Sequence, residues 1–262
     1  METGFIVSPE IIGLLGNGYR AAEYAIRELI DNAWDADAQH VWITLPNSLP
    51  TDLSKYELSI ADDGAGMGPH ELSSYYLHIA NNRHTLRGDF TNNGRQVKGR
   101  KGNGKFSGIY VGTTIIVSTK ANGRSSQFEF NREVLQQATQ ENQALDRIKL
   151  NLFENQCAVD EHGTTITVRG LRETLIQPGI ERLKRLLVQE YGRTEDFSII
   201  INGELLGLTG LQGQSFEYTE NLPAVGAVRL SFVISLGKQP LRDAGIGLRA
   251  NQNRSESLAF SM

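Results

Sequence analysis

The sequence predicts an α+β fold: a mixed, mostly antiparallel sheet with helices on one face, followed by a C-terminal β-rich extension. Two observations predict it. Apolar periodicities run in the order helix, two strands, helix, loop and then mainly strands, and this order does not repeat as βαβ units. At 262 residues, 39% hydrophobic and 21% charged, the chain has the composition of an ordinary globular protein with ample material for a core.

The elements follow in order. Residues 8–16 read as a short helix, with Ser8 able to N-cap, Pro9 suited to the first helical position and Gly16 ending it. A long helix is expected over 19–37, then strands at 40–45 and 56–61. DDGAGMG at 62–68 is a turn, and Pro69 restarts a helix to about residue 80. Residues 81–104 are polar, studded with glycine and without apolar periodicity, a long loop of the functional or mobile kind. Residues 105–111 can form a helix. Strands are expected at 113–119, 125–130, 147–153 and 163–169, with a polar stretch at 132–146. A helix over 178–191 carries Ile180, Leu183, Leu186, Leu187 and Tyr191 on one side. Strands at 198–201 and 204–208 flank an Asn202-Gly203 hairpin turn. Further strands at 213–219, 226–236 and 245–250 set the expected division: a first domain over 1–210, and a partial β-rich second domain or extension over 211–262. The polar ending lacks a closing element, as expected of a piece of a longer protein.

Lys and Arg number 26 against 30 Asp and Glu, so the net charge of −4 argues against a surface that grips phosphate backbones throughout. A local basic groove is still allowed. The one cysteine, Cys157, can form neither an internal disulfide nor a CxxC metal site, and reads as a core filler in a reducing compartment. No stretch approaches the roughly 20 apolar residues of a membrane span, and the first twenty positions lack the pattern of a secretory leader. The expectation is a cytoplasmic protein with no membrane contact. His40, His70, His78, His84 and His162 are scattered without metal-ligand spacing.

Four segments carry chemistry. On a wheel of about 100° per residue, Glu28, Asp31, Asn32 and Asp35 share one edge of the long helix, while Ala22, Ala25, Ile26, Leu29, Ile30 and Ala33 fill another. A solvated face is the plain alternative. Three mutually repelling carboxylates with little local cationic relief, Arg27 lying off to the side, argue for more. An amide among carboxylates also suits a hard cation such as Mg²⁺, which takes oxygen ligands and keeps several waters. In the second segment, Asp62-Asp63-Gly64-Ala65-Gly66-Met67-Gly68 ends an apolar strand. Asp-Gly alone makes an ordinary turn, but three glycines in five positions let the backbone approach a flat ligand, and an aspartate there can accept from an exocyclic amine.

The third segment, Gly99-Arg100-Lys101-Gly102-Asn103-Gly104-Lys105-Phe106-Ser107-Gly108, has the G-x-x-x-x-G-K spacing of a P-loop. Phe106 stands where the Mg²⁺-binding hydroxyl belongs, and residues 92–98 are poor material for the strand a P-loop follows, so that reading is rejected. A glycine-rich loop opening a helix still offers backbone N–H groups to a polyanion, with Arg100, Lys101 and Lys105 adding charge. The fourth, His162-Gly163-Thr164-Thr165-Ile166-Thr167-Val168, is by itself an ordinary strand start.

In this order and spacing the four resemble the boxes of the GHKL ATPases, the superfamily of DNA gyrase B, the ninety-kilodalton heat-shock chaperone, the histidine kinases and MutL. Glu28-x-x-Asp31-Asn32-x-x-Asp35-Ala36 is similar to the N box, Asp62-x-Gly64-x-Gly66 to the adenine box, and Gly99-x-x-Gly102-x-Gly104 to the phosphate-lid box. Gly163-Thr164 resembles the late Gly-Thr that closes the adenine pocket. The resemblance covers about residues 8–210. GRKGNGKFSG and the strand ending in Ser118-Thr119-Lys120 look most like the MORC proteins and their bacterial relatives. A histidine kinase is disfavoured, since no helical hairpin with a phosphoacceptor histidine precedes the N box.

The resemblance implies a Bergerat-type two-layer α/β sandwich binding ATP beneath a mobile lid. It implies Glu28 as general base toward the attacking water and Asn32 as the Mg²⁺ ligand, with Asp31 and Asp35 beside it. Asp62 would accept from the adenine amine with Thr164 supporting it through water, and Gly64, Gly66 and Met67 would shape the base pocket. Arg100, Lys101, Gly102, Asn103, Gly104, Lys105 and Phe106 would surround the phosphates. The implied activity is slow, Mg²⁺-dependent ATP hydrolysis in a switch where ATP orders residues 81–104, the ordered lid stabilises a homodimer and hydrolysis releases it, acting on DNA, chromatin-like assemblies or another protein. Lys238 is a candidate for a lysine at the γ-phosphate. The rival is a nucleotide-binding sensor or scaffold with negligible hydrolysis, and a protein kinase comes third. Arg83, Arg87, Arg95, Lys98, Arg100, Lys101 and Lys105 read as neutralising phosphate and aiding solubility, with nucleic-acid contact the lesser reading.

Overall fold

The structure is a computed structural model that describes residues 2–4, 21–46, 56–77, 88–99, 104, 107–134, 149–172, 179–192, 194, 196–207, 214–223, 226–234, 246–250 and 253–258. The helix expected at 8–16 lies outside these residues, as do His78, His84, Arg83, Arg87 and Lys238. Chain contacts divide the protein into two units, one of residues 1–183 with 196–205, the other of residues 184–195 with 206–262.

The first unit is built on an eight-stranded sheet in the order β10-β9-β2-β3-β8-β4-β5-β7. Its strands are β2 (His40–Thr44), β3 (Glu57–Asp62), β4 (Thr114–Ala121), β5 (Arg124–Asn131), β7 (Phe153–Gln156), β8 (Gly163–Arg169), β9 (Ser198–Ile201) and β10 (Glu204–Leu205). Every neighbouring pair is antiparallel except β2 with β9. The mixed, mostly antiparallel sheet expected from the sequence is therefore present. Residues 149–156 depart from the single strand expected over 147–153. They form β6 (Lys149–Asn151), paired with β1 (Glu2–Gly4), and then β7 on the sheet edge; Leu152 between them is buried.

Alternation along the strands divides the sheet into rows on the buried face. Leu58, Val168, Ile115 and Phe130 make one row across β3, β8, β4 and β5. Ile43, Ile60, Ile166, Val117 and Phe128 make the next, and all nine side chains are buried. Burying each such Val, Ile, Leu or Phe contributes roughly 1.5–3 kcal/mol. The third row breaks the pattern: Val41, Asp62, Thr164, Thr119 and Ser126 stand in register across the same strands. A hydrophobic face therefore becomes polar at one end, and that end positions the site.

Helix α1 (Ala22–Asp35) buries Ala25, Ile26, Leu29, Ile30 and Ala33, the apolar arc its spacing predicted. It ends in a Schellman arrangement: Asp37 takes φ 59°, Ala38 N–H reaches the Ala33 carbonyl, and Asp37 N–H reaches that of Trp34, both at 3.1 Å. The helix expected from Pro69 is short. Pro69–Glu71 (α2) passes into a π-helical turn over Leu72–Tyr76, where the Ser73 hydroxyl takes the Pro69 carbonyl at 2.9 Å. Helix α3 (Gly108–Val111) packs on α1, with Ser107 Oγ donating to the Ala25 carbonyl at 2.7 Å.

Helix α4 (Gly179–Tyr191) follows β8. The second unit contains two antiparallel hairpins, β11 (Gln214–Leu222) with β12 (Gly226–Ile234), and β13 (Ile246–Ala250) with β14 (Asn253–Leu258). The last strand, NRSESL, was not expected, because its alternation carries almost no apolar residue.

Residues 88–99 are tied to the end of α1. The Arg95 guanidinium is buried, 4.8 Å from the Trp34 ring centroid and 5.7 Å from that of Phe197. It donates to the Ala38 carbonyl and the Asp196 carbonyl, each at 2.6 Å, and to the Asp196 carboxylate at 2.9 Å. The reading of Arg95 as a solvent-facing phosphate neutraliser is thereby corrected: its charge is consumed inside the domain. Arg95→Met removes all three bonds while keeping much of the volume. It is expected to cost about 2–4 kcal/mol, read as a lower urea midpoint, because the buried Ala38 carbonyl loses its donor and the exposed Asp196 loses its tie to the domain. An unchanged midpoint would contradict this account.

Candidate active site

The polar row forms one end of the site. Asp62, at the end of β3, is half-buried; its Oδ1 accepts from Gly64 N–H at 2.9 Å and from Thr164 N–H at 3.3 Å. Burial pushes its carboxyl up to about 6, and the two N–H bonds only partly oppose that. Thr119 Oγ1 lies 3.2 Å from Thr164 Oγ1 and 3.2 Å from the Gly163 carbonyl, and accepts from Met67 N–H at 2.8 Å. At the end of the row, the buried Ser126 Oγ has no hydrogen-bond partner among the described residues.

The turn after Asp62 is shaped by close backbone approach. Gly66 has φ +64°, and a Cβ there would collide with the Lys120 carbonyl; a Cβ on Gly163, φ +119°, would collide with that of Asp62. A Cβ on Gly64 would lie 2.8 Å from the Ala36 carbonyl, which accepts from Ala65 N–H at 2.9 Å. His162 Nδ1 lies 2.9 Å from the Gly64 carbonyl and so carries the proton. Asp63 turns away from the site. Burial would raise its carboxyl, but the His40 backbone N–H, the His40 ring and Gln39 N–H together hold it below the ordinary range.

The acidic edge of α1 forms the other end. Asp35 is buried, and its two oxygens accept from Lys98 N–H at 2.8 Å and Gly99 N–H at 2.9 Å. It therefore fixes the start of the glycine-rich loop. Asp31 lies 3.8 Å from Lys98 Nζ and 3.7 Å from Arg27 Nε, and Lys98 also sits 4.8 Å from the Trp34 ring centroid. Arg27 also reaches Glu28 Oε1 at 3.4 Å. The expectation of little cationic relief is thus corrected, since Arg27 folds along its own helix and Lys98 arrives from the loop. Glu28 still titrates above the ordinary 4.5, chiefly through burial and then through Asp31, with Arg27 opposing.

Gly104 sits against this edge, since a Cβ on it would lie 2.8 Å from Glu28 Oε2. Asn32 Nδ2 is buried without a hydrogen-bond partner among the described residues. The structure therefore brings Glu28, Asp31, Asn32 and Asp35 to the glycine loop at Gly99 and Gly104. It places Asp62, Gly64, Gly66, Met67 and Thr164 at the other end of the same helix terminus, joined through Ala36. Arg100, Lys101, Gly102, Asn103, Lys105 and Phe106 lie outside the described residues. Sequence reasoning missed Thr119 as a site residue. The signal was its register, since Ile115, Val117 and Thr119 alternate onto one face.

Among the described residues no group of three or more His, Cys, Asp or Glu side chains is placed to hold a metal. The donor chemistry still fits Mg²⁺, which takes one or two protein oxygens and completes its shell with water and phosphate. A half-turn of the Asn32 amide would exchange its orphaned Nδ2 for its oxygen. No described helix is long and apolar enough to cross a membrane.

A polar row closing an apolar sheet, faced by a carboxylate-rich helix edge and a glycine loop, is the construction of a nucleotide-binding domain. The family described as histidine kinase-, DNA gyrase B- and HSP90-like ATPase matches residues 19–164, more than half of the chain, and the chain belongs to that family. No curated protein matches it.

Asp62 yields a stability test. Its folded-state value of about 6 lies above the ordinary 3.8, so ionising it costs stability once the pH exceeds about 6, and the cost vanishes below about 3.8. Asp62→Asn keeps an acceptor for both N–H groups and is expected to stabilise the protein by roughly 2–3 kcal/mol at pH 7. The gain in denaturation midpoint is expected to shrink as the pH falls from 6 to 4; a gain independent of pH would contradict the assignment.

Proposed function

We propose that this domain binds ATP with Mg²⁺ and hydrolyses it slowly, and that the cycle serves as a conformational switch. The observation that carries the reading is the Ala36 junction, which puts a half-buried, half-satisfied aspartate and an acidic helix edge on one site. Ionised Asp62 accepts from the adenine amine, while Thr164 supports the same edge of the base and Gly64, Gly66 and Met67 line it. The backbone N–H groups of residues 102–105, with Arg100, Lys101, Lys105 and the neighbouring Phe106, cradle the triphosphate. Asn32 holds Mg²⁺, which when bound neutralises charge on the phosphates. Glu28 takes the proton of the attacking water, and its raised pKa strengthens it as a base at neutral pH. Positioning and charge neutralisation are most of what phosphoryl transfer requires.

The ATP-binding domain in this reading spans 1–210, and 211–262 belongs to a second, β-rich part. Closure of the loop region over ATP favours a homodimer that acts on DNA or a protein client in the cytoplasm, and the MORC-like loop motif fits such a role. A second reading, a nucleotide sensor with negligible hydrolysis, is favoured by one contact: Arg27 at 3.4 Å engages the Glu28 carboxylate that has to serve as base.

Turnover by the purified protein separates the two. Glu28→Ala is expected to bind ATP as the wild type does while losing about 10²–10⁴-fold in hydrolysis rate, as removal of a general base does. Asp62→Asn is expected to lose nucleotide affinity. The wild-type rate is expected to fall on acidification through a midpoint above 4.5, because Glu28 has to be ionised. Equal, negligible rates in wild type and Glu28→Ala would favour the sensor.

A further inference from the structure

This inference rests on the nucleotide reading and adds a residue to that same site. Thr119 is 1% exposed, and its hydroxyl joins both halves of the base pocket: Met67 N–H at 2.8 Å on one side, Thr164 Oγ1 at 3.2 Å on the other. The Gly163 carbonyl lies at 3.2 Å as a third partner. A hydroxyl has one proton to give. If Thr119 gives it to Gly163, the Thr164 proton turns back toward Thr119 and Thr164 offers the ligand only lone pairs. If Thr119 gives it to Thr164 Oγ1, the Thr164 proton is free to be donated into the site.

Beside Thr164, ionised Asp62 offers only acceptors. An acceptor next to a donor matches the edge of a 6-aminopurine, whose amino group donates and whose ring N1 accepts. A 6-oxopurine presents the reverse, an oxygen that accepts and an N1–H that donates. A site that orients buried polar groups toward one pattern leaves them unpaired against the other, and this is a strong source of discrimination.

We propose that Thr119 is a positioning and specificity residue: it holds the Met67 backbone beneath the base and turns the Thr164 hydroxyl into a donor, so that the site selects a 6-aminopurine nucleotide over a 6-oxopurine one. Thr119 touches no substrate itself. It acts through Met67 and Thr164, on the row that the register of β3, β8 and β4 creates.

The test is calorimetric titration of the full chain with Mg²⁺ and either ATP or inosine triphosphate. The wild type is expected to prefer ATP. Thr119→Val is expected to weaken ATP binding about tenfold, the effect of leaving a buried donor unpaired, and to weaken inosine triphosphate less, so that the preference shrinks. Thr119→Ser is expected to restore both affinity and preference. Thr119→Val combined with Thr164→Val is expected to alter the preference no further than Thr164→Val alone, because the two hydroxyls act as a unit. Thr119→Cys, with its weaker hydrogen bonding, carries the same expectation should the valine variant fail to fold. Equal losses for the two nucleotides would mark Thr119 as merely structural and overturn the proposal, as would wild-type affinities in the valine variant. A wild type that binds neither nucleotide would overturn the nucleotide reading itself, and the proposal with it.

Discussion

The turn from Asp62 to Met67 has no room for a side chain at Gly64 or Gly66, and the geometry of the site depends on that constraint. Gly64 lies against the carbonyl at the end of α1, Gly66 against the Lys120 carbonyl, and Gly163 against the carbonyl of Asp62 itself. Two of the three also have positive φ, which L-residues with a Cβ adopt only at a cost. Any side chain in the slot would push the turn outward. Asp62 would then separate from the acidic edge of α1, because Ala36 joins the two. Pocket shape and helix placement are thus one constraint, imposed by backbone on backbone.

Within that frame the carboxylates divide by how well they are satisfied. Asp35 has a backbone N–H on each oxygen, Asp63 has three donors, and Asp31 has two cations within 4 Å. All three hold structure. Glu28 and Asp62 are half-buried with fewer compensating partners, and both are pushed upward in pKa by desolvation. Under-satisfied burial is costly to the fold and useful to chemistry, since such a group is poised to take a proton or a hydrogen bond from a ligand. Glu28 and Asp62 stand at the two ends of the site, and the domain tolerates that cost at both.

Much of this was legible in the sequence, and the reason differs by element. The period of 3.6 in α1 fixed which of its residues face inward, so the acidic edge could be read directly, whereas the core rows depend on pairing between strands that alternation alone does not give. Glycine spacing revealed the slot in part: Gly64 and Gly66 answer to close backbone approach, whereas Gly68, with φ −71° and only ordinary contacts, does not. Contacts distant along the chain were not legible. Nothing local tells that Arg95 is swallowed between Trp34 and Phe197, which lies about a hundred positions further on, or that Lys98 returns to Asp31. Thr119 was half legible: its register pointed inward, but its partners Met67 and Thr164 come from two other segments. The weak strand β14 was missed because pairing with β13 carries it rather than composition.

Residues 88–99 are tethered along their length. Arg95 is locked by the Trp34 and Phe197 rings, and Trp34 Nε1–H holds the Gln96 carbonyl at 2.9 Å. Asp37 takes Asn93 N–H at 3.1 Å, and Asp35 takes Lys98 and Gly99. An ordering that sweeps across the whole of 81–104 would have to break a buried cation from two carbonyls and a carboxylate, at a cost of several kcal/mol. The segment acts more economically as a fixed post. Asp35 holds its far end at Lys98 and Gly99, where the glycine-rich stretch begins.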